Sequence, residues 1–183
     1  MRLLLVAMLL LLALPAGAQR PDARKAELDQ LFTALKAAPT EAAGAAIEGR
    51  IRQIWQQQGS PAVMLLLNRG SRDLSQGEAD VALDALDDAL VLAPDYPEAW
   101  LRRALARFHR GDYAGAIRDI EATLSREPRY FPALQTLSRI AEAQGNWKGA
   151  LAAWEKVLEI TPRTAEAQDR LEMLRRKVFG EST

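Results

Sequence analysis

The chain has 183 residues, of which 49% are apolar and 26% charged, a balance typical of folded domains. Lys and Arg together number 24, as do Asp and Glu, so the whole chain has no net charge that would attract nucleic acid or an anionic membrane. The absence of cysteine excludes disulfides, thiolate metal sites and a thiol nucleophile. Few aromatic residues and many Ala and Leu residues favour helices over sheets.

Residues 1–18 have the layout of a secretory signal peptide. Arg2 precedes an apolar run from Leu3 to Leu14, which Pro15 and small residues follow. The run is shorter than the roughly 20 residues that a membrane-spanning helix needs. The small residues Ala16 and Ala18 suit signal peptidase, so we expect cleavage after Ala18 and no stable membrane insertion afterwards. An uncleaved membrane anchor is the alternative.

Residues 19–62 predict a helical hairpin. The first helix should end near Pro39, and Thr40 can cap the second, which ends before Ser60 and Pro61. The two helices carry their apolar residues at helical spacing. These residues are Leu28, Leu31, Phe32 and Leu35 in the first helix and Ile47, Ile51, Ile54 and Trp55 in the second. We expect the hairpin to cover the first of the repeats that follow.

A 34-residue spacing recurs along residues 63–164. Three residue types keep this step: Pro94, Pro128 and Pro162; Gly77, Gly111 and Gly145; and Ala82, Ala116 and Ala150. The repeat divides the segment into the units 63–96, 97–130 and 131–164, and each reads as helix, short turn, helix. After Pro162, residues 165–183 predict a capping helix. Its apolar stripe consists of Ala167, Leu171, Leu174 and Val178.

The pattern resembles the tetratricopeptide repeat (TPR). The second unit carries the resemblance best, with Trp100, Ala104, Ala116, Ile120 and Pro128 at the family's positions. It departs from the family's pattern at Arg103 and Arg107, and the first unit does so at Arg69 and Asp73. The resemblance implies an all-α fold: a right-handed superhelical solenoid of three helix-turn-helix repeats with an N-terminal helical hairpin and a C-terminal capping helix. It is specific for the fold and nearly silent about function.

The overall organisation also resembles small exported repeat proteins of Gram-negative bacteria, so we expect a periplasmic location. The single histidine, His109, and the lack of metal, nucleotide or nucleophile motifs predict a protein that is not an enzyme and needs no cofactor. We interpret His109 as an exposed residue near a helix end, with a partner contact as the alternative.

The resemblance implies that a protein or peptide partner binds the concave surface made by the first helices of the repeats. Transferred position by position, this groove consists of Met64, Leu67, Ser71, Ser75, Glu98, Arg102, Leu105, His109, Gln135, Arg139 and Glu142. Arg102 and Arg139 suit an acidic or carbonyl-rich peptide, although they could also pair with Glu98 and Glu142. Some family members grip a C-terminal carboxylate with Lys and Asn. Leu67 and Ser71 stand at those places, so we expect no such clamp.

Acidic residues cluster on the second helix of the first unit, at Asp80, Asp84, Asp87 and Asp88. A solvated face is the simplest interpretation. The alternative is an ion-pair cluster between repeats, formed with Arg103 and Arg107 of the next unit; these arginines could instead lay their stems over the edge of the core. For the whole protein, the sequence favours an interaction module or scaffold, with an obligate structural subunit of an envelope complex and an enzyme as the other possibilities.

Overall fold

The computed structural model describes residues 21–180, which form helices joined by short turns. The predicted leader, residues 1–18, and its cleavage site lie outside this range. The helices are α1 Pro21–Lys36, α2 Glu41–Gln56, α3 Pro61–Ser75, α4 Ala79–Leu92, α5 Pro97–His109, α6 Tyr113–Arg126, α7 Phe131–Ala143, α8 Trp147–Ile160 and α9 Ala167–Phe179. None of the helices within residues 21–180 combines the length and apolar character needed to cross a membrane.

Three helical hairpins, α3/α4, α5/α6 and α7/α8, stack into a right-handed solenoid. The second and third hairpins begin at Pro97 and Phe131, where the repeat spacing predicts the units to begin. The first begins at Pro61, earlier than the predicted Val63, because Ser60 caps the helix. The Ser60 hydroxyl accepts a hydrogen bond from the Val63 N–H at 3.3 Å, and proline suits the first helical position.

A glycine follows the first helix of each hairpin and adopts the same backbone conformation in all three. Gly77, Gly111 and Gly145 have φ angles of 83°, 85° and 70°, in the left-handed region that other residues adopt only with strain. The 34-residue spacing of these glycines therefore reflects the same tight turn in three copies.

The N-terminal hairpin lies across the turns between repeats, and not only over the first repeat as expected. From its end to its start, α2 contacts the three turns in order. The Tyr96 hydroxyl donates to the Gln56 carbonyl at 3.2 Å, the Trp55 ring stacks on Tyr130, and the Thr161 hydroxyl donates to Glu48 at 2.7 Å. A helix of 16 residues is about 24 Å long, enough to cross three helical hairpins packed about 10 Å apart.

This placement leaves the outer face of the first repeat uncovered. Leu65, Ala99 and Ala133 occupy the same position in the three repeats. Ala99 and Ala133 are fully buried, whereas Leu65 is 69% exposed. Arg69 is exposed in the same repeat, where no preceding repeat within residues 21–180 covers it, and it pairs with Asp73 at 3.6 Å.

The C-terminal cap agrees with the prediction. Ala167, Leu171 and Leu174 of α9 are buried against α8, and Val178 packs at the edge of the same cluster. The Trp154 indole N–H donates to the Ala167 carbonyl at 3.2 Å, which fixes the start of α9 on the third repeat.

Candidate functional site

The candidate interaction surface is the inner side of the solenoid, lined by the first helices α3, α5 and α7. Helix α3 packs on α5 and α5 packs on α7, while each second helix packs on its own first helix and on the next one. Stacking with a constant rotation places the first helices on the concave side. The cap helix α9 packs on α8, where the first helix of a fourth repeat would lie, and extends this row.

Two of the predicted groove residues are not accessible to a partner. Leu67 is 1% exposed and packs in the core of the first repeat. Glu98 is 7% exposed and lies beneath the groove surface. At these exposed fractions, neither side chain offers a partner a surface to contact. We therefore remove both from the predicted surface.

Glu98 holds Arg102 in a network that joins the first repeat to the turn before the third. The Arg102 guanidinium donates to Glu98 at 2.5 Å and to the Ser71 hydroxyl of the first repeat at 2.6 Å. The buried Tyr130 hydroxyl, in the turn before α7, donates to the other Glu98 oxygen. Burial and the nearby Glu98 carboxylate raise the pKa of Tyr130 far above its usual value, so the phenol remains a donor. Arg102 is thus committed to structure, as the pairing alternative predicts.

The remaining predicted residues form the accessible surface. Ser75, His109 and Arg139 are exposed, and Met64, Leu105 and Gln135 are half-buried. Within residues 21–180, Arg139 has no ion-pair partner, so it is an available cation on α7. His109 lies in the last turn of α5, as expected, and its ring contacts the edge of Phe108.

A small apolar cavity opens between α3 and α5. It has a volume of about 140 Å³ and is lined by Gly70, Ser71, Leu74, Leu86, Arg102 and Leu105. Gly70 lets α3 approach α4 closely beside the cavity, because a Cβ atom there would lie only 2.8 Å from Leu86 Cγ. Leu105 was expected in the groove, but Leu74 was not. The apolar character of Leu74 and its place in the final turn of α3 were the available signals.

Helix α2 forms a wall at the third-repeat end of the groove, which the sequence did not reveal. A cavity of about 370 Å³ separates Gln135 of α7 from Glu48, Gly49 and Arg52 of α2. The Arg52 guanidinium lies 5.0 Å from the centre of the Phe131 ring, in a cation–π contact. A partner that reaches Gln135 would therefore also meet the hairpin.

The cap helix closes the inner side beyond the third repeat. Arg170 of α9 pairs with Glu142 and lies 4.8 Å from the centre of the Trp154 ring. Its guanidinium also donates to the buried Ser138 hydroxyl at 3.3 Å. Glu142 therefore pairs with Arg170, and not with Arg139 as the pairing alternative supposed.

The expected arginine–aspartate cluster forms, but around a different carboxylate. Arg103 does bridge to Asp87 of the preceding repeat, at 2.6 Å. Its main partner is Asp119, which is 1% exposed and accepts two hydrogen bonds from Arg103, at 2.9 and 2.8 Å, and one from Arg107 at 2.9 Å. The sequence did not single out Asp119, although an acidic residue on the apolar face of α6 was a signal.

The other acidic residues of α4 behave differently from one another. Asp80 pairs with Arg110 at 3.1 Å, whereas Asp84 and Asp88 are exposed on the outer side of α4, in agreement with a solvated face.

Between residues 21 and 180, no three His, Asp or Glu side chains are arranged to hold a metal ion.

Comparison with known sequences decides the family. A tetratricopeptide repeat model matches residues 71–143. A TPR repeat-containing protein of Rhizobium etli is 38% identical over 159 residues, which cover 87% of this chain and 78% of the relative. This chain belongs to the tetratricopeptide repeat family. The alignment with this relative covers more residues than the three repeats, so the sequence similarity of this TPR protein to it extends beyond them.

Solved structures agree with the TPR fold. The first TPR domain of Spaghetti (RPAP3), solved with the HSP90 peptide SRMEEVD, matches with a TM-score of 0.60 and 24% identity, over 65% of this chain and 94% of that one. MamA matches with a TM-score of 0.59 and 19% identity, over 87% of this chain and 81% of that one. At these identities the likeness shows the fold alone.

Proposed function

We propose that this TPR protein is a non-catalytic interaction module or scaffold that binds a peptide or protein segment in the groove of its first helices. The observation that carries the proposal is the row of accessible side chains on α5 and α7, where Leu105 beside a small cavity and the unpaired Arg139 occupy equivalent positions of neighbouring repeats. An apolar contact combined with a cation recognises a segment that has both apolar and acidic residues.

The contacts of the groove residues limit the kind of partner that we propose. Because Arg102 is held by Glu98, Arg139 is the arginine that we expect to contact a carboxylate or carbonyl of the partner. The peptide bound to the related RPAP3 domain, SRMEEVD, contains acidic residues, which is consistent with this class of partner. We do not propose a carboxylate clamp of the Lys and Asn type, since Leu67 is buried and Ser71 accepts from Arg102.

Substitutions in the groove test the proposal. Arg102→Glu is unsuitable, because it would place a carboxylate against Glu98 and disturb folding. The better variant is Arg139→Glu combined with His109→Ala, since both side chains are exposed. Its matched control is Arg118→Glu on the exposed side of α6. We expect the groove variant to keep its helical circular dichroism and to lose a partner that is crosslinked and recovered from cell extract with the unmodified protein.

The control should recover that partner unchanged. Equal recovery with the groove variant and the control would show that the partner binds elsewhere, and the outer helices near Asp84 and Asp88 would be the next surface to test.

We further propose that the protein is exported to the periplasm after cleavage behind Ala18. The support is the leader sequence itself, with Arg2, the apolar run from Leu3 to Leu14 and the small residues up to Ala18. Intact-mass measurement of protein released by osmotic shock should give a chain that begins at Gln19. A mass that retains Met1, or recovery only with the membrane fraction, would contradict cleavage and export.

A further inference from the structure

A third cavity lies away from the groove, between the N-terminal hairpin and two turns of the solenoid. Its volume is about 650 Å³, within the range of about 300–1000 Å³ that is usual for ligand sites. Residues from α1, the end of α2 and the first two inter-repeat turns line it. The apolar part consists of Leu28, Trp55, Pro97 and Pro128.

Cations outnumber carboxylates around this cavity. Arg24 and Lys25 lie on the α1 side, and Arg126 and Arg129 lie on the repeat side. The two carboxylates each have an arginine nearby: Glu127 accepts from Arg129 at 3.2 Å, and Asp95 lies 3.8 Å from Arg126. Arg24 and Lys25 have no hydrogen-bond or ion-pair partner among the side chains of residues 23–180. The cavity therefore has a surplus of positive charge on its α1 side.

The two arginines on the repeat side are held in place. Arg126 donates to the Pro94 carbonyl at 2.8 Å, and its guanidinium lies 4.7 Å from the centre of the Trp100 ring. Arg129 donates to Asp29 at 2.6 Å and lies 4.3 Å from the centre of the Phe32 ring. Side chains that are already ordered lose little entropy when they bind a ligand.

Trp55 contributes an apolar part of the cavity wall. The side chain is almost fully buried, its ring stacks on Tyr130, and its indole N–H is covered by protein atoms. This wall therefore combines cations with an apolar floor.

We propose that this cavity is a second binding site, which takes an acidic peptide segment. The carboxylates of the segment pair with Arg24 and Lys25, while its aliphatic stems lie on Leu28 and Pro97. The apolar floor favours a peptide over a small inorganic anion. The site is independent of the groove proposed above.

Isothermal titration calorimetry tests this site. The protein is expressed with its own leader and then purified. The probes are acetylated tetraglutamate amide, the corresponding tetraglutamine amide and inorganic phosphate. The variant is Arg24→Ala with Lys25→Ala, which removes no hydrogen bond or ion pair to residues 23–180 and so should not disturb folding. The matched control, Lys148→Ala with Lys156→Ala, removes the same charge from exposed positions of α8.

We expect tetraglutamate to bind saturably and tetraglutamine not to bind. The α1 variant should weaken the tetraglutamate Kd by about tenfold or more, and the α8 control should change it by less than about twofold. Equal weakening by both double variants, or no binding of tetraglutamate to the unmodified protein, would overturn the proposal. If phosphate bound as tightly as tetraglutamate, the ligand of this cavity would be a simple anion and not a peptide. If Arg139→Glu weakened tetraglutamate binding and the α1 variant did not, the binding would belong to the groove and this cavity would be rejected.

Discussion

The Trp55 ring stacks on the Tyr130 ring with centroids 4.1 Å apart and an angle of 25° between their planes. The contact joins the last turn of α2 to the turn that precedes the third repeat. Phe131 packs on the other part of the same indole at 5.5 Å. Because the hairpin and the solenoid share this aromatic core, we expect them to unfold together.

Trp55→Ala should lower the free energy of unfolding by about 3–5 kcal/mol, because it empties a large buried volume at the centre of this contact. Urea unfolding followed by circular dichroism measures the change. The neighbouring exposed residue provides the control: Gln57→Ala should change stability by less than about 0.5 kcal/mol. Two separate unfolding transitions in the unmodified protein would contradict a shared core.

Asp119→Ala should lower the free energy of unfolding by about 3–5 kcal/mol, because it leaves Arg103 and Arg107 without their buried partner. The exposed carboxylate of the same cluster is the comparison. Asp87→Ala should cost less than about 1 kcal/mol, since a solvent-exposed ion pair contributes little. Similar losses for the two variants would show that burial does not determine the strength of these pairs.

Asp112→Ala should remove about 1 kcal/mol of stability at pH 7, because the Asp112 carboxylate caps α6 by accepting from the Gly115 N–H at 2.9 Å. Asn146 caps α8 in the same way at the equivalent position of the third repeat. Asn146→Ala should therefore cost a similar amount. Chemical unfolding of both variants at several pH values separates the charged cap from the neutral one.

The pH dependence has a definite sign. The Gly115 N–H, with the charges of Arg107 and Arg110, holds the pKa of Asp112 below its usual value. A carboxyl with a lowered pKa stabilises the fold above its unfolded pKa and loses this contribution as the pH falls through its folded pKa. The effect of Asp112→Ala should thus shrink below about pH 4, while that of Asn146→Ala should stay constant. A parallel decline for both caps would contradict this assignment.

Ala99→Leu should destabilise the protein by about 1–3 kcal/mol, because it forces a larger side chain into the packed contact between α4 and α5. Leu65→Ala, at the equivalent position of the first repeat, should change stability by less than about 0.5 kcal/mol. Thermal unfolding of both variants checks the contrast. A large loss with Leu65→Ala would mean that another molecule or segment covers this face in solution.

Much of the candidate groove could be predicted, and the part that could not depends on pairing. The repeat register placed Ser75, Leu105, His109 and Arg139 on first helices, where the structure leaves them accessible or half-buried. The register could suggest the pairing of Arg102 with Glu98, one turn away on α5, but not the contacts of Arg102 with Ser71 or of Glu98 with Tyr130, which join residues 31 and 32 positions apart.

The sequence by itself determined the repeats, the glycine turns and the caps at Thr40 and α9. These features depend on backbone conformation and on spacings of three or four residues, which are local properties of the chain. Only the tertiary structure decided that α2 crosses all three turns, that Asp119 holds Arg103, and that cations surround the cavity beside Trp55. Such contacts join distant segments, and their partners are chosen by the packing of whole helices and not by any local pattern.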